Sequence, residues 1–391
     1  MPIYPLYALL FADTGLSDAE ISVLFALWSA VGIVAEVPSG ALADRVGRRT
    51  ALVTGALMQA VGYACWVVFP GLPGFAAGFV LWGLGRALAS GAQEALLHDG
   101  LAAVGAEEHY ARIQGWVGAA GLAVQVPTAG VATALFVVGG YAAAGWASVA
   151  TCVGTALLAA RLPEAAPPPP AVGQEDTDQA PSWTRPPDHA APSTGAPVSP
   201  DFSADEASYL ATLRAGVGEV AGRQPLLRAV LAFGLLYGVD AFEEYFPLVA
   251  RDLHVATALV PAALLAVPLV GALGAALGGP ANRLGAGALA AVLAVGAGLL
   301  GITATVAHPA ALAGVALFYG LYRAVLVVAD ARLQERITGP ARATVTSVAN
   351  VVAELPSFAV YAAWAVGGTG AMAVLVAVVA AVLPVLLRRD G

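Results

Sequence analysis

Apolar stretches long enough to cross a lipid bilayer dominate this sequence. A hydrocarbon core of about 30 Å takes roughly 20 helical residues, and eleven such runs follow one another along the 391 residues. Their continuity favours helices, because the strands of a membrane barrel alternate polar and apolar residues over about ten positions. Only 11% of the residues are charged. We predict an all-α polytopic membrane protein with spans near 19–43, 50–70, 74–98, 112–137, 140–161, 225–250, 257–280, 285–306, 310–332, 341–366 and 369–387.

Residues 1–12 form a further apolar stretch that is too short to span a bilayer. At 1.5 Å per residue they would extend about 18 Å as a helix. The stretch has neither the basic region nor the small-residue cleavage site of a signal peptide. We interpret it as the outer half of a first helix whose inner half is missing, and we expect a native start further upstream and twelve spans.

The arginines predict the orientation of the chain in the membrane. Fifteen of them fall on one side of the predicted spans, whereas the other side receives only Arg251. Short basic loops stay in the cytoplasm. We therefore expect a multi-pass protein of the inner (cytoplasmic) membrane whose C-terminus and central linker are cytoplasmic.

The chemistry changes abruptly at 162–224, where four consecutive prolines precede an acidic stretch rich in Pro, Ser and Gly. This composition is typical of a disordered linker. The end of the segment has a capping-box pattern and apolar residues at helical spacing, which predict an amphipathic helix near 203–221. The alternative is a partly ordered tail of the linker. The linker separates two membrane units, 1–161 and 225–391.

These two units resemble each other. The stretch Gly40-Ala-Leu-Ala-Asp-Arg-Val-Gly47 is echoed by Gly278-Gly-Pro-Ala-Asn-Arg-Leu-Gly285. Further echoes relate Gly83-Leu-Gly-Arg-Ala87 to Gly320-Leu-Tyr-Arg-Ala324, and Gln125-Val-Pro127 to Glu354-Leu-Pro356. Landmarks that recur in the same order indicate a parallel duplication. We predict two pseudo-symmetric six-helix bundles, the first with a partial first helix.

Residues 40–49 also resemble a known family signature. They read Gly-Ala-Leu-Ala-Asp-Arg-Val-Gly-Arg-Arg, which is similar to the loop motif G-x-x-x-D-R-x-G-R-R of the major facilitator superfamily. The resemblance covers essentially the whole chain. It implies two six-helix bundles around a central cavity that opens alternately to either side, and secondary transport that is commonly driven by protons.

The motif has a physical interpretation as a cytoplasmic gate in the loop between the second and third helices. Its glycines allow close helix approach and a tight turn, and its charges form a clasp that can be made or broken. The resemblance sets Asp44 against the start of the eleventh helix near Ala341. Glu36 lies on the stripe of Gly40 and Asp44, so it belongs either to this gate or to the cavity. The alternative is that the arginines are simple topology anchors. The gate residues are Gly40, Asp44, Arg45, Gly47, Arg48, Arg49 and, in the second half, Gly278, Asn282, Arg283 and Gly285.

Ionisable residues within spans are functional candidates, because each costs roughly 2.5–3.5 kcal/mol to insert. Arg86 and Arg323 lie near the centres of their helices. Arg86 resembles the family's fourth-helix arginine, which is often tied to proton coupling, although Ser90 stands where the family has glycine. The alternative is a structural ion pair with an acid on a neighbouring helix. Other charges near the helix ends are expected to pair with gate arginines: Glu94, His98, Asp99, Asp330 and Glu335.

Acidic residues supply the candidates for proton or substrate binding. Asp240, Glu243 and Glu244 are spaced i, i+3 and i+4 and would share one face of the seventh helix. Desolvated carboxylates in a cluster suit proton capture and release, or attraction of a cationic substrate. A solvated outer vestibule is the alternative for Glu243 and Glu244. Glu354 in the eleventh helix is the second candidate protonation site.

The sequence therefore predicts a proton-coupled exporter of a small organic molecule that works by alternating access. The family's antiporter signature is incomplete, since Pro127 and Gly130 are present but Val126 replaces a glycine. Uptake of a metabolite, or a non-transporting sensor or scaffold with the same fold, are the alternatives. An enzyme is disfavoured because no catalytic constellation or phosphate-binding loop is present. We expect a monomer in the lipid bilayer, with no cofactor, metal or nucleic acid.

Overall fold

The computed structural model describes residues 1–163, 218, 221–337 and 352–388, and within these ranges the chain is helical without any strand. The first half contains α1 (Tyr7–Asp13), α2 (Asp18–Val46), α3 (Arg48–Val68), α4 (Leu72–Ala103) and α5 (Tyr110–Ala159). The second half contains α6 (Gln224–Val239), α7 (Phe246–Asp252), α8 (Val260–Ala263), α9 (Ala266–Ala276), α10 (Gly278–Ala281), α11 (Ala286–Thr305), α12 (Leu312–Arg336) and α13 (Ser357–Leu386). The predicted linker and its amphipathic helix lie almost entirely outside the described residues, so the domain boundaries stay a prediction.

Nine helical stretches of the described chain are long and apolar enough to cross a membrane. Two of them contain an internal break at a Gly-Gly pair. In α5 the break is at Gly139 and Gly140, and in α13 it is at Gly367 and Gly368, with φ values of −149° and 61° and of −158° and 51°. Each break divides its stretch in two, so the nine stretches of the described chain correspond in order to the eleven predicted spans.

A positive φ also occurs at a second pair of corresponding positions in the two halves. Gly15 between α1 and α2 has a φ of 96°, and His254 after α7 has a φ of 62°. Both residues sit in the turn that follows a seven-residue helix, α1 in the first half and α7 in the second. Corresponding turns at corresponding places show that the two halves are built alike, which agrees with the duplication seen in the sequence.

The structure corrects the prediction of a loop at residues 40–49. Helix α2 continues to Val46, and α3 begins at Arg48. Gly47 alone leaves helical geometry, with φ 88° and ψ 140°, a conformation that glycine adopts without steric penalty. The motif is therefore the last turn of one helix, a one-residue bend and the start of the next helix. In its echo the chain does leave the helix, through turn residues 282–285.

Contacts near one end join the two halves. We call this end the acidic end, because Asp13, Asp18 and Asp252 lie there at the ends of α1, α2 and α7. We call the opposite end, which carries Gly47, the motif end. Helix α2 packs on α13, α1 on α7 and α5 on α8. The hydroxyls of Ser29 and Tyr361 lie 2.8 Å apart, and Tyr245 donates a hydrogen bond to Ser22 at 2.9 Å. The halves are thus closed against each other toward the acidic end.

Candidate functional site: an acidic cavity between the two halves

A cavity of about 720 Å³ lies between the two halves. Its volume is within the range of small-molecule sites, about 300–1,000 Å³. Helices α1 and α5 line it on one side, and the α6–α7 junction, α8, α9 and α12 line it on the other. The charged residues in its lining are Asp240, Glu243, Glu244 and Arg323. Four of the predicted site residues therefore meet at one cavity.

The three acids lie on a 3₁₀ segment, Asp240–Tyr245, that joins α6 to α7. The sequence predicted an α-helix with all three on one face. Because residues i and i+3 eclipse in a 3₁₀ helix, Asp240 and Glu243 are in line, whereas Glu244 is turned toward α1. Glu243 is exposed at the cavity, and Glu244 is only 9% exposed. The burial of Glu244 does not match a solvated vestibule.

Three tyrosine hydroxyls hold these carboxylates. The Tyr319 hydroxyl lies 3.1 Å from Asp240 Oδ1 and 3.2 Å from Glu243 Oε2. The Tyr4 hydroxyl lies 3.4 Å from Glu243 Oε1 and 3.3 Å from Glu244 Oε1, and Tyr7 donates to Glu244 Oε2. Tyr4 and Tyr7 belong to the first half and their acceptors to the second. The carboxylates therefore form part of the contact between the halves.

Arg323 supplies the positive charge of the cavity. Its Nη1 lies 3.5 Å from Asp240 Oδ2, and its guanidinium lies 5.9 Å from the Tyr319 ring centroid. Both partners of the ion pair are partly exposed, at 32% for Arg323 and 26% for Asp240. Since one guanidinium faces three carboxylates, the lining carries two negative charges in excess when all three are ionised.

Arg86, the counterpart of Arg323 in the first half, has a different environment. Its guanidinium lies over the ring of Trp28, 5.0 Å from the centroid, in a cation–π contact. In the described part of the chain no carboxylate lies at ion-pair distance from Arg86. An ion pair with an acid on a neighbouring helix is thus observed at Arg323.

Glu354 lies apart from the cavity lining. Glu354 ends a short helical stretch before the turn at Pro356, and its backbone carbonyl accepts a 2.5 Å hydrogen bond from Ser357 Oγ. Its side chain is half-buried. Glu36 lies within α2, and its side chain is outside the described residues, as are those of Gly40 and Asp44. The structure therefore does not bring Glu354 together with Asp240 at the cavity.

At the motif end, a polar side chain in each half joins the motif turn to the end of a long helix. This helix is α4 in the first half and α12 in the second. Arg48 pairs with Asp99 of α4 and donates to the carbonyl of Ala95 at 2.9 Å. In the second half Arg332 of α12 donates to Asn282 Oδ1 at 3.3 Å and to the Leu284 carbonyl at 2.7 Å. Arg332 is only 3% exposed. The other motif arginines, Arg45, Arg49 and Arg283, are exposed, and Gly285 precedes α11.

Sequence reasoning missed the tyrosines and the role of α1. Tyr4 and Tyr7 are three residues apart and Tyr319 precedes Arg323 by four, so helical spacing was an available signal. Their acceptors are far away along the chain, however, and no local pattern indicates the pairing. Among the described residues, no group of three or more His, Cys, Asp or Glu side chains is arranged so that it could hold a metal ion.

This architecture defines a class of protein: a multi-pass helical membrane protein with a charged cavity between two similar halves. The sequence profile of the Major Facilitator Superfamily matches residues 1–361. The chain belongs to this superfamily, whose members are transporters and not enzymes.

Solved structures share this fold. A D-xylose-proton symporter is 16% identical with a TM-score of 0.66, and the match covers 99% of this chain and 93% of the symporter. The human organic anion transporter MFSD10 (TETRAN) is also 16% identical, with a TM-score of 0.52 and coverage of 94% and 83%. No curated protein sequence matches.

Proposed function

We propose that the protein is a secondary active transporter that exports a small organic molecule in exchange for protons, across the cytoplasmic membrane. The observation that carries the proposal is the excess of carboxylates over guanidinium in a cavity between the halves. The motif end is cytoplasmic in this proposal, because the arginine-rich turns lie there. The closed acidic end then faces outward.

The cavity suggests how protons and substrate are coupled. Asp240 is compensated by Arg323, but Glu243 and Glu244 have hydroxyl partners and no matching cation among the described residues. An uncompensated charge away from water is costly. The buried Glu244 is stabilised by a proton, and the exposed Glu243 by a proton or by a bound substrate, so proton and substrate compete at Glu243. Glu354 remains the second candidate for a proton site, outside the lining of this cavity.

Alternating access requires the contacts at the acidic end to open while the motif end closes. The Tyr7–Glu244 and Tyr4–Glu243 bonds link the cavity charges directly to the contact between halves. A change of charge at the carboxylates therefore changes the free energy of that contact. Asp44 and the motif arginines serve as the clasp at the cytoplasmic end.

Accumulation of organic dyes and antibiotics, in cells stripped of their own efflux pumps, tests this function. We expect expression to lower accumulation, and a protonophore to abolish the effect. Asp240→Asn and Asp44→Ala should each remove coupled transport while membrane insertion stays intact. Glu107→Gln, at an exposed acid between α4 and α5, is the control and should transport normally. Wild-type rates in both variants would refute the assigned roles, and unchanged accumulation across the panel would count against export.

A further inference from the structure

We propose that the substrate of the cavity is an amphipathic organic cation, whose charged head binds at Glu243 and whose apolar part lies between α5 and α9. The inference rests on the proposed transport function and adds the chemical class of the substrate. It comes from the different chemistry of the two ends of one cavity.

Glu243 is the carboxylate of the cavity that is free to face a ligand. Asp240 is engaged by Arg323, and Glu244 is buried against Tyr7. Glu243 is exposed, and the hydroxyls of Tyr319 and Tyr4 lie within 3.4 Å of its oxygens. The Tyr4 side chain is itself 39% exposed and lines the cavity. A carboxylate beside an accessible aromatic ring suits an ammonium head, through charge and through cation–π attraction.

The rest of the lining is apolar. Helix α5 contributes Leu122 and Val124, which are 55% and 56% exposed. On the other side, α8, α9 and the turn between them contribute Pro261, Leu264, Leu265, Pro268, Ala272 and Ala275. Between these walls, the polar side chains in the lining are those of Gln125 and Thr128 on α5. A substrate with many hydroxyls would leave most of its polar groups unpaired there, which is unfavourable.

An anionic substrate is disfavoured by the same lining. Its one guanidinium, that of Arg323, is paired with Asp240, while three carboxylates would repel a negative group. Electrostatic complementarity of this kind discriminates against the wrong charge.

The position of the walls indicates how such a molecule enters. Helix α5 meets the second half at Thr257–Leu259 and at α8, near the acidic end. Further toward the motif end, exposed residues of α5 and α9 line the cavity. In this proposal the gap between α5 and α9 opens toward the hydrocarbon of the bilayer. A cation with an apolar chain can therefore enter chain-first from the bilayer and carry its head to Glu243.

Binding of trimethylammonium ions with alkyl chains from methyl to hexyl tests the proposal. The purified protein would be held in nanodiscs, and binding to empty nanodiscs would be subtracted. We expect affinity to rise by up to about fourfold per methylene, the equivalent of the 0.8 kcal/mol of a buried CH₂. Hexyl sulfate should not compete. Affinity that is independent of chain length, or equal binding of the sulfate, would overturn the proposal.

Two pairs of variants separate the head site from the wall. Glu243→Gln should lower the affinity for every ammonium at least tenfold, and Glu107→Gln should not. Leu122→Gln should flatten the dependence on chain length while tetramethylammonium still binds as before. Leu157→Gln, at an exposed position of α5 beyond the break at Gly139 and Gly140 and outside the cavity lining, should keep that dependence. If Leu122→Gln leaves the dependence intact, the apolar part does not lie on this wall.

Different results would contradict the proposed transport function and the proposed substrate class. Protonophore-sensitive transport of a neutral or anionic compound, without binding of ammonium ions, would retain the transport function and overturn the substrate class. Tight, chain-dependent ammonium binding without proton-driven movement in liposomes would retain the binding site and overturn the proposed coupling.

Discussion

At the scale of single residues, the position of Tyr319 is set by the residue that faces it. A Cβ atom at Gly271 of α9 would lie 2.6 Å from Tyr319 Cδ1 and 2.7 Å from Cε1, which is far below a normal contact. The absent side chain therefore lets the ring lie against α9. From that position its hydroxyl reaches both Asp240 and Glu243. Gly271 thus acts on the carboxylates through the position of Tyr319.

Gly271→Ala should destabilise the protein and impair transport together. An added methyl group in a packed site costs about 1–3 kcal/mol, and relief of the overlap would move the Tyr319 ring away from its acceptors. Thermal unfolding of the purified protein and substrate efflux would measure the two effects. Gly287→Ala is the control, because a Cβ there meets nothing within 4 Å. Normal transport by Gly271→Ala would show that Tyr319 does not need this position.

At the scale of the helices, a polar side chain in each half joins the motif turn to the end of a long helix, α4 in the first half and α12 in the second. The Arg48–Asp99 pair is partly exposed, at 27% and 44%, and exposed ion pairs contribute about 1 kcal/mol or less to stability. In the corresponding link of the second half, the arginine comes from the long helix instead of from the motif. Arg332 lies on α12, and its partner Asn282 lies in the motif turn. The small energy of the first link suits a contact that forms and breaks during a transport cycle.

Asp99→Asn should therefore leave stability nearly unchanged and lower the transport rate severalfold. The reason is that the variant weakens the hold of α4 on the start of α3 without disturbing the packed interior. Efflux rate and midpoint of thermal unfolding would be compared with those of Glu108→Gln, an exposed acid just beyond α4. An unchanged rate would favour the simpler interpretation of the motif arginines as topology anchors.

Local patterns explain what the sequence could predict at this scale. The apolar runs and the Gly-Gly pairs report where each helix lies, because span length and helix breaks are properties of neighbouring residues. The continuation of α2 to Val46 was not predicted, because charged residues at a helix end resemble a loop by composition. The tightening at Asp240–Tyr245 also escaped prediction, since the same residues fit an α-helix equally well.

At the scale of the whole molecule, the site depends on contacts that no local pattern contains. Tyr7 and Glu244 are 237 residues apart in the chain, and Ser29 and Tyr361 are 332 apart. Such pairs become visible only when the two halves are placed together. The four candidate residues at the cavity could be named from the sequence by the cost of charges within spans. Their partners Tyr4 and Tyr7, in and just before α1, could not.

The same contacts make a test of alternating access possible. Arg251, the single arginine that the sequence assigns to the acidic end, lies 3.8 Å from Asp18 of the other half. At the same end, Tyr141 donates a 2.6 Å hydrogen bond to Asp13, and both of these residues belong to the first half. One pair therefore bridges the halves and the other does not, although both are at the same end of the molecule.

Crosslinking the first pair should stop transport, and crosslinking the second should not. Cysteines would replace Asp18 and Arg251, or Asp13 and Tyr141, after removal of the two native thiols, Cys65 and Cys152. A bis-methanethiosulfonate reagent would then join each pair, forming one disulfide with each cysteine and releasing methanesulfinate, and a reducing agent would reverse the crosslink. Because the halves must separate at the acidic end for that end to open, we expect the Asp18–Arg251 crosslink to block efflux until it is reduced. Continued efflux with that crosslink intact would mean that the transported molecule passes without separation of the halves at this end.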